Sequence, residues 1–408
     1  MYRVVFTGGG TGGHIYPGIA VADELKLLFE KKMPSEDLEI YWIGNRSGMD
    51  RTIVEKSIGL NGKCSITGFY GIPSGKFRRN FSFKNFIDIF KILGGLAASF
   101  FILLKLKPDL LFSKGGFVSV PPCLCAGIQK IPVYTHECDF TPGLATRINS
   151  KSAFRVLLSY AETKRFFPVK AQNKLMVTGN PVRPAFFQAD KSRGLDFLGL
   201  TQKDLDMPLL LILGGSSGSK QINDLVWENL SWLTEHFIVV HQTGRQLGGQ
   251  QKSVFEPSVD KDSSDKTDFA EKYRASYKPY EFIYSQMPDV IACSDIVLCR
   301  AGSNSLWECA VLKKPMVLIP LCGKATRGDQ VENASYFEKN GAALTLIGGK
   351  ADSDHLKKAL TIMENNEKRN SFSAACEKIT AQERPAEFIA SLLYNELINN
   401  DIKGKKYV

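Results

Sequence analysis

Tyr2-Arg3-Val4-Val5-Phe6-Thr7, followed by Gly8-Gly9-Gly10-Thr11-Gly12-Gly13-His14 and then Ile15-Tyr16-Pro17-Gly18, is the stretch from which the fold can be read. An apolar strand runs into a glycine turn, and a helical pattern starts directly after it. That order makes an anion cradle, because the uncapped amides and the dipole of the helix both point at the turn. His14 places an ionisable imidazole in the cradle. The combination predicts chemistry beside a diphosphate rather than nucleotide storage.

Working outward, strand-like runs at residues 4–7, 38–43, 109–113, 133–136 and 156–158 alternate with helix-length segments. Such alternation predicts a parallel sheet covered on both faces. The pattern then restarts. Residues 209–213 end in Gly214-Gly215-Ser216-Ser217-Gly218-Ser219, and further strands are expected near 237–241, 296–299, 316–319 and 342–346. The expected fold is therefore α/β, with two doubly wound halves that bind ligands outside the C-terminal ends of their strands. Two prolines and a glycine break regular structure in Thr178-Gly179-Asn180-Pro181-Val182-Arg183-Pro184, giving expected domains 1–181 and 182–384. A last helix from residue 385 can return to the first domain. The polar stretch 250–278 has no apolar period and reads as a long surface loop.

The 408 residues and 44% hydrophobic content suit two ordinary cores. Nine cysteines without a C-x-x-C pair predict reduced thiols in a cytosolic protein. The closest two, Cys123 and Cys125, have no neighbouring ligand, so no metal site is expected there. Arg3 and the glycine turn interrupt any apolar run, so no signal peptide is expected. A net charge of +10 calls for an anionic partner. Much of that charge is local: between residues 76 and 107 seven lysines and arginines stand against Asp88, interleaved with Phe77, Phe81, Phe83, Phe86, Ile87 and Phe90. The uncharged run 92–104 has 13 residues. It is shorter than the roughly 18–20 needed to span a bilayer, and a buried helix is expected.

Gly8, Gly10 and Gly13 also fit the dinucleotide fingerprint G-x-G-x-x-G. That fold holds its ribose with a carboxylate at the end of the second strand. Here the second run ends in Ile43-Gly44-Asn45-Arg46, which counts against a nicotinamide dehydrogenase. A second glycine turn, Ser113-Lys114-Gly115-Gly116-Phe117-Val118-Ser119, follows a neighbouring strand, so the two turns can cradle a diphosphate jointly. Taken alone, Gly115-Gly116 need only permit a tight turn. Arg300-Ala301-Gly302-Ser303-Asn304-Ser305-Leu306-Trp307-Glu308 again follows a strand and opens a helix. Its amides can receive a phosphate, and Glu308 can accept two hydrogen bonds from the vicinal hydroxyls of a ribose. A Ser303 cap with Glu308 facing solvent explains the same letters.

His136 and Glu137 end a strand and should face the same crevice, with His136 read as a hydrogen-bonded structural residue. His236, His241 and His355 lack ligand spacing. Asp204-Leu205-Asp206 precedes its strand rather than ending it, so it reads as a loop and not as a metal-holding Asp-x-Asp. No metal and no cofactor is expected. A leaving diphosphate then depends on loop amides, helix dipoles and Arg183.

Together these residues resemble the MurG family of peptidoglycan glycosyltransferases over nearly the whole chain. The resemblance rests on residues 9–14, Gly115-Gly116-Phe117-Val118-Ser119, His136-Glu137 with Pro142-Gly143, Gly179-Asn180-Pro181-Val182-Arg183, Gly214-Gly215-Ser216, residues 300–308, and Asp329-Gln330 with Asn333-Ala334, in the family's order. It implies a glycosyltransferase-B fold, two Rossmann-like domains facing a central cleft. It also implies transfer of N-acetylglucosamine (GlcNAc) from UDP-GlcNAc to the C4 hydroxyl of an undecaprenyl-diphosphate-linked muramyl-pentapeptide. By the same resemblance Ser216 and Arg183 contact the nucleotide diphosphate, the backbone near Tyr284 the uracil, Ser303, Asn304 and Ser305 the phosphates, Glu308 the ribose and Gln330 the sugar. Thr11, Gly12 and Gly13 approach the sugar and acceptor from the other side. His14 is the expected base; alternatively His14 only hydrogen-bonds the substrate while Glu137 or water takes the proton.

Asp139 stands where the family commonly has asparagine, an added carboxylate beside an anionic acceptor, and Ser219 stands where alanine is usual. The family implies a peripheral enzyme on the cytoplasmic face of the bacterial plasma membrane. Residues 76–91 are expected to meet the anionic surface, with Phe81, Phe83 and Phe86 entering the acyl boundary. Nucleic acid is not an expected partner. Another lipid acceptor such as diacylglycerol, a UDP-GlcNAc 2-epimerase, and a non-catalytic nucleotide-binding module are the competing readings.

Overall fold

The computed structural model describes residues 1–59, 62–75, 83–201, 204, 206–215, 218–244, 275–323, 326–380 and 384–402, with the side chains of 83–87 and 400–402 excepted. Ser216, the basic and aromatic residues 76–82, the side chains of Phe83 and Phe86, and most of the 250–278 stretch thus lie outside the described residues. The chain divides into one unit of Met1–Pro184 with Gln382–Val408 and a second of Ala185–Ala381.

In the first unit, β1 (Tyr2–Thr7), β2 (Leu38–Asn45), β3 (Gly68–Ile72), β4 (Leu110–Ser113), β5 (Val133–Glu137), β6 (Arg155–Leu158) and β7 (Leu175–Val177) form one sheet. Its order is β3-β2-β1-β4-β5-β6-β7. Every pairing is parallel. Strand alternation sends Val4, Phe6, Leu110 and Phe112 to one face, where helix Gly12–Lys32 and the last helix, Pro385–Ile402, cover them. Val5, Leu111 and Val133 pack on the opposite face with Leu103 and Leu106 of helix Phe83–Leu106 and with helix Val120–Ile128. Both faces are buried, so these strands are runs of apolar residues.

The second unit repeats the plan with β8 (Leu209–Leu213), β9 (Ile238–Gln242), β10 (Tyr277–Tyr280), β11 (Ile296–Cys299), β12 (Met316–Leu318) and β13 (Ala343–Thr345). The order is β10-β9-β8-β11-β12-β13, again parallel throughout. In each unit the chain reverses its direction of travel across the sheet at one point, between β1 and β4 and between β8 and β11. Crevices for ligands open at such points. Register sets Thr7 beside Ser113, and Leu213 beside Cys299, so each pair of loops leaves the sheet together.

Three strands escape a reading by apolar runs. β3 and β7 are short and only partly buried, and β10 contains Pro279. β10 also begins at Tyr277, so the end of the stretch expected to be loop up to residue 278 is strand.

The expectation for residues 92–104 needs correction. Helix Phe83–Leu106 continues through Asp88 and Lys91, and its 19-residue segment Asp88–Leu106 is long and apolar enough to cross a membrane, with 22% of the segment buried. One side belongs to the fold: Cys125 Sγ donates to the Leu96 carbonyl at 3.3 Å and Gln129 Nε2 to the Phe100 carbonyl at 3.0 Å. The other is not buried. Leu93 is 57% exposed, Phe101 67% and Leu104 51%, with Phe90 on the same face. A sheet needs only one stripe of a covering helix, and hydropathy summed along the chain does not resolve the two sides.

Candidate active site

The first glycine loop is shaped from below. Asp50, buried, accepts the Gly10 N–H at 3.1 Å on each carboxylate oxygen and the Asn45 N–H at 2.8 Å. Burial pushes this carboxyl up from its ordinary value, and the N–H donors pull it back. Trp42 Nε1 donates to the Gly8 carbonyl at 3.0 Å. An acid does therefore follow the second strand, but it clamps the loop instead of waiting for a ribose. Thr11, extended at φ −152°, makes no side-chain cap, and no acidic residue occupies the first turn of helix Gly12–Lys32. That helix end keeps its positive pole for an anion.

The second glycine turn packs against His14. A Cβ on Gly116 would lie 2.8 Å from His14 Cδ2 and 2.9 Å from the Gly9 carbonyl oxygen, and Gly116 has φ +79°. Glycine is required there both for the backbone and for the imidazole. Ser119 Oγ donates to the Gly116 carbonyl at 2.8 Å and accepts from Asn149 Nδ2 at 2.9 Å, which fixes the turn to helix Leu144–Ser152.

Glu137 is also brought to this edge, with both oxygens engaged: Oε1 accepts the Asp139 N–H at 3.0 Å and Oε2 the Gly143 N–H at 2.8 Å. Its carboxylate orders the loop before helix Leu144–Ser152. The ligand atoms of Glu137, Cys138 and Asp139 lie within 4.8 Å of one another, and each Glu137 oxygen also accepts one of those amides. His136 is fully buried and Nε2 lies 2.9 Å from the Gly179 carbonyl. Burial first, and the nearby Lys114 ammonium second, hold it well below the usual imidazole range, so the neutral ring donates Nε2–H. Arg183 places its guanidinium carbon 5.0 Å from the ring centroid of Tyr16, one turn into helix Gly12–Lys32.

In the second unit, Gly214 and Gly215 leave β8, and Ser219 caps helix Lys220–Glu228 by accepting the Ile222 N–H at 3.3 Å. Ser219 Oγ also accepts from Arg300 at 2.7 Å, while the other Arg300 nitrogen donates to the Ile319 carbonyl and to Gln221, each at 2.9 Å. The alanine-to-serine departure thus ties the β8 and β11 loops together. Helix Ser303–Val311 is capped by Gly302, without a side-chain bond. Ser303 is therefore inside the helix and not its cap, and Glu308 is half-buried rather than solvent-facing. The positive pole of the helix lies at this end, where a phosphate is favoured.

Asn333 Nδ2 donates to the Ala301 carbonyl at 3.3 Å, holding helix Asp329–Lys339 against that loop, and Gln330 Oε1 accepts the Leu321 N–H at 2.8 Å. Tyr284 is exposed, and the backbone next to it is ordered by Gln242, whose Oε1 accepts the Ile283 N–H at 2.9 Å. His241, bonded to Tyr277 and Asn223 and lowered to about 3 by burial, is structural. Asp50, Gln242, Asn149 and Tyr16 carried no motif in the sequence. Asp50 and Gln242 lie at or just past strand ends, and Asn149 and Tyr16 inside the helices that follow strands.

Two doubly wound units, each presenting a glycine loop and an uncapped helix N-terminus at its strand ends, define an α/β nucleotide-sugar protein of the glycosyltransferase-B class. Residues 4–158 match the glycosyltransferase family 28 N-terminal domain and residues 209–389 the family 28 C-terminal domain. The chain is 48% identical over 399 residues to the UDP-N-acetylglucosamine–N-acetylmuramyl-(pentapeptide) pyrophosphoryl-undecaprenol N-acetylglucosamine transferase of Treponema denticola, covering 96% of this chain and 97% of that one. An enzyme of the same name, numbered 2, from Bacillus cereus is 35% identical, covering 94% and 97%. The chain belongs to the MurG family, within glycosyltransferase family 28. A crystal structure of MurG from Acinetobacter baumannii shares the fold at a TM-score of 0.69 and 23% identity, over 97% of this chain and 100% of that one. The UDP-GlcNAc 2-epimerase of Methanocaldococcus jannaschii shares it too, at 0.59 and 18%, over 97% and 100%. Fold alone does not choose between the two reactions.

Proposed function

We propose that this chain is an inverting glycosyltransferase that moves GlcNAc from UDP-GlcNAc to the C4 hydroxyl of undecaprenyl-diphosphate-linked N-acetylmuramyl-pentapeptide. The observation that carries the mechanism is His14, held by the Gly115-Gly116 turn beside an uncapped helix N-terminus. The acceptor oxygen attacks the anomeric carbon as the bond from that carbon to the UDP oxygen breaks. The hydroxyl proton passes to His14, and the electron pair leaves on UDP. Imidazoles suit this step because as a class they titrate close to neutrality. Glu137, with each oxygen on a backbone amide, orders the neighbouring loop, and the proton is assigned to His14 rather than to it.

Gly214-Gly215-Ser216 and the amides of Ser303, Asn304 and Ser305 take the donor diphosphate, and Arg183 offers its guanidinium to a diphosphate. Glu308 takes the ribose, the backbone at Tyr284 the uracil, and Gln330 the sugar hydroxyls. Thr11, Gly12 and Gly13 face the transferred sugar and the acceptor, with Asp139 near the acceptor. The leaving charge is met by preorganised dipoles and a guanidinium, so the rate is expected to survive chelation with EDTA.

The lipid-linked acceptor agrees with the exposed stripe of helix Phe83–Leu106, where Phe90, Leu93, Phe101 and Leu104 stand beside exposed Lys91 and Lys105. Such a face enters the acyl boundary while lysines meet anionic headgroups, giving peripheral attachment to the cytoplasmic face of the bacterial plasma membrane. A 2-epimerase, which needs no lipid, leaves that stripe without a purpose. The test offers several UDP-sugars against a muramyl-diphosphate lipid and a diacylglycerol. Transfer from UDP-GlcNAc to the muramyl lipid is expected; transfer to diacylglycerol alone overturns the reading. His14→Ala should lower kcat by roughly 10²–10⁴-fold.

A further inference from the structure

Tyr16 follows Gly12 by one helical turn, so the two share a face of helix Gly12–Lys32. The ring packs directly on Gly12: a Cβ there would lie 3.0 Å from Tyr16 Cε2 and 3.3 Å from Cδ2. The same ring carries the Arg183 guanidinium, 5.0 Å from its centroid. Arg183 belongs to an irregular segment immediately before the end of the first unit at Pro184, where neither a helix nor a strand fixes its direction. Tyr16 itself is 41% exposed, more than a ring kept only for core packing needs. Gly12, Tyr16 and Arg183 therefore form a stack at the helix end that also carries His14.

We propose that Tyr16 is a positioning residue, its ring seated on Gly12 holding the Arg183 guanidinium ready for a diphosphate. The proposal rests on the reading that this chain handles diphosphate substrates. A planar guanidinium binds phosphate through a rigid fork, and a fork fixed in advance loses less freedom when the anion arrives. A cation over a partly exposed aromatic ring is worth a factor of about two to five in binding. Gly12 then has a second duty besides approaching substrate: a Cβ there would press on the ring at 3.0 Å and shift its seat by a few tenths of an ångström.

The diphosphate can come from the donor or the acceptor, and two arms separate them. In the first, UDP is titrated calorimetrically into the full-length protein; in the second, KM for the lipid-linked acceptor is measured at saturating UDP-GlcNAc. Tyr16→Leu is expected to weaken UDP binding, or raise the acceptor KM, about two- to fivefold with kcat unchanged. Tyr16→Phe keeps the ring and should match the wild type in both arms. Arg183→Lys keeps the charge but loses the planar fork and should reproduce Tyr16→Leu. In an Arg183→Ala background Tyr16→Leu should add nothing. Wild-type behaviour of Tyr16→Leu in both arms overturns the proposal, as does an effect that persists without Arg183. Because UDP binding needs no turnover, the first arm stays informative if the assignment of the acceptor fails. Melting temperatures confirm folding, and Tyr16→Met serves if Tyr16→Leu does not fold.

Discussion

Gly116→Ala, set against Gly115→Ala, separates backbone strain from displacement of the proposed base. Both glycines are left-handed, at φ +85° for Gly115 and +79° for Gly116. A side chain costs roughly 1–3 kcal/mol at either position, toward the upper end at Gly116, whose ψ of +159° puts it in a region almost exclusive to glycine. Their surroundings differ. At Gly115 the nearest heavy atom to a new Cβ is 3.6 Å away, an ordinary contact. At Gly116 the Cβ would lie 2.8 Å from His14 Cδ2, with the Gly9 carbonyl oxygen at 2.9 Å closing the way back. Carbon atoms settle at about 3.5–4.0 Å, so the imidazole has to retreat by roughly 0.7–1.2 Å. A misplacement of about 1 Å costs on the order of 10²-fold in rate. Both variants should therefore lose about 2–12 °C in melting temperature by calorimetry, Gly116→Ala the more. Only Gly116→Ala should also lose kcat, toward 10²-fold, in transfer assays saturated with both substrates. If the two lose kcat equally, or Gly116→Ala turns over like the wild type while melting earlier, the position of His14 does not set the rate.

Lys114 is buried and its ammonium has no hydrogen-bond partner among the described residues. Lys114→Met, which keeps the length without the charge, should stabilise the protein by about 1–3 kcal/mol in urea denaturation, and a destabilised variant contradicts this. Asp23 is raised to about 6 by burial, against a hydrogen bond from Ser65 that lowers it. Its folded form keeps a proton that the unfolded chain sheds near pH 4. That contribution is complete below about pH 4 and is lost as pH rises through about 6. Asp23→Asn should therefore gain roughly 2–3 kcal/mol on the wild type at pH 8 and little at pH 4, measured as unfolding free energies. His136 has the opposite sign. Held neutral, it lets the unfolded chain bind a proton first, so its contribution is present above about pH 6.5 and falls as pH drops below that. His136→Gln should flatten this acid limb. Replacing Phe90, Leu93 and Phe101 together with serine should weaken binding to anionic vesicles by roughly tenfold or more, and sedimentation unchanged from the wild type removes the helix from the membrane contact.

How much could be read in advance depended on whether a property is local. β1, β4, β5, β8 and β11 were legible because a strand buried on both faces must be a run of apolar residues. Edge strands such as β3 escaped because a half-buried strand needs no such run. His14 and the three glycine turns were legible because a strand that ends in glycines and restarts as a helix has few other uses. What each loop amide does was not. Gly10 N–H looked available to a phosphate, yet it is bound by a carboxylate 40 residues away. Glu137 was legible only as an acid at a strand end, and that its oxygens order a loop a few residues on was not. Ser219 looked like a minor change and proved to bridge two loops through Arg300.

Helix Phe83–Leu106 marks the same limit from another side: hydropathy sums around the axis, while burial depends on which side meets the sheet. By itself the sequence determined the two doubly wound halves, the strand ends where chemistry gathers, and the family, since these follow from periodicity and from motifs contiguous in the chain. Only the tertiary structure decided which carboxylates clamp backbone, which apolar face stays open, and that Tyr16 and Arg183 meet. Hydrogen bonds and ring contacts act over a few ångströms, and no spacing along the chain records that distance until the sheet has folded.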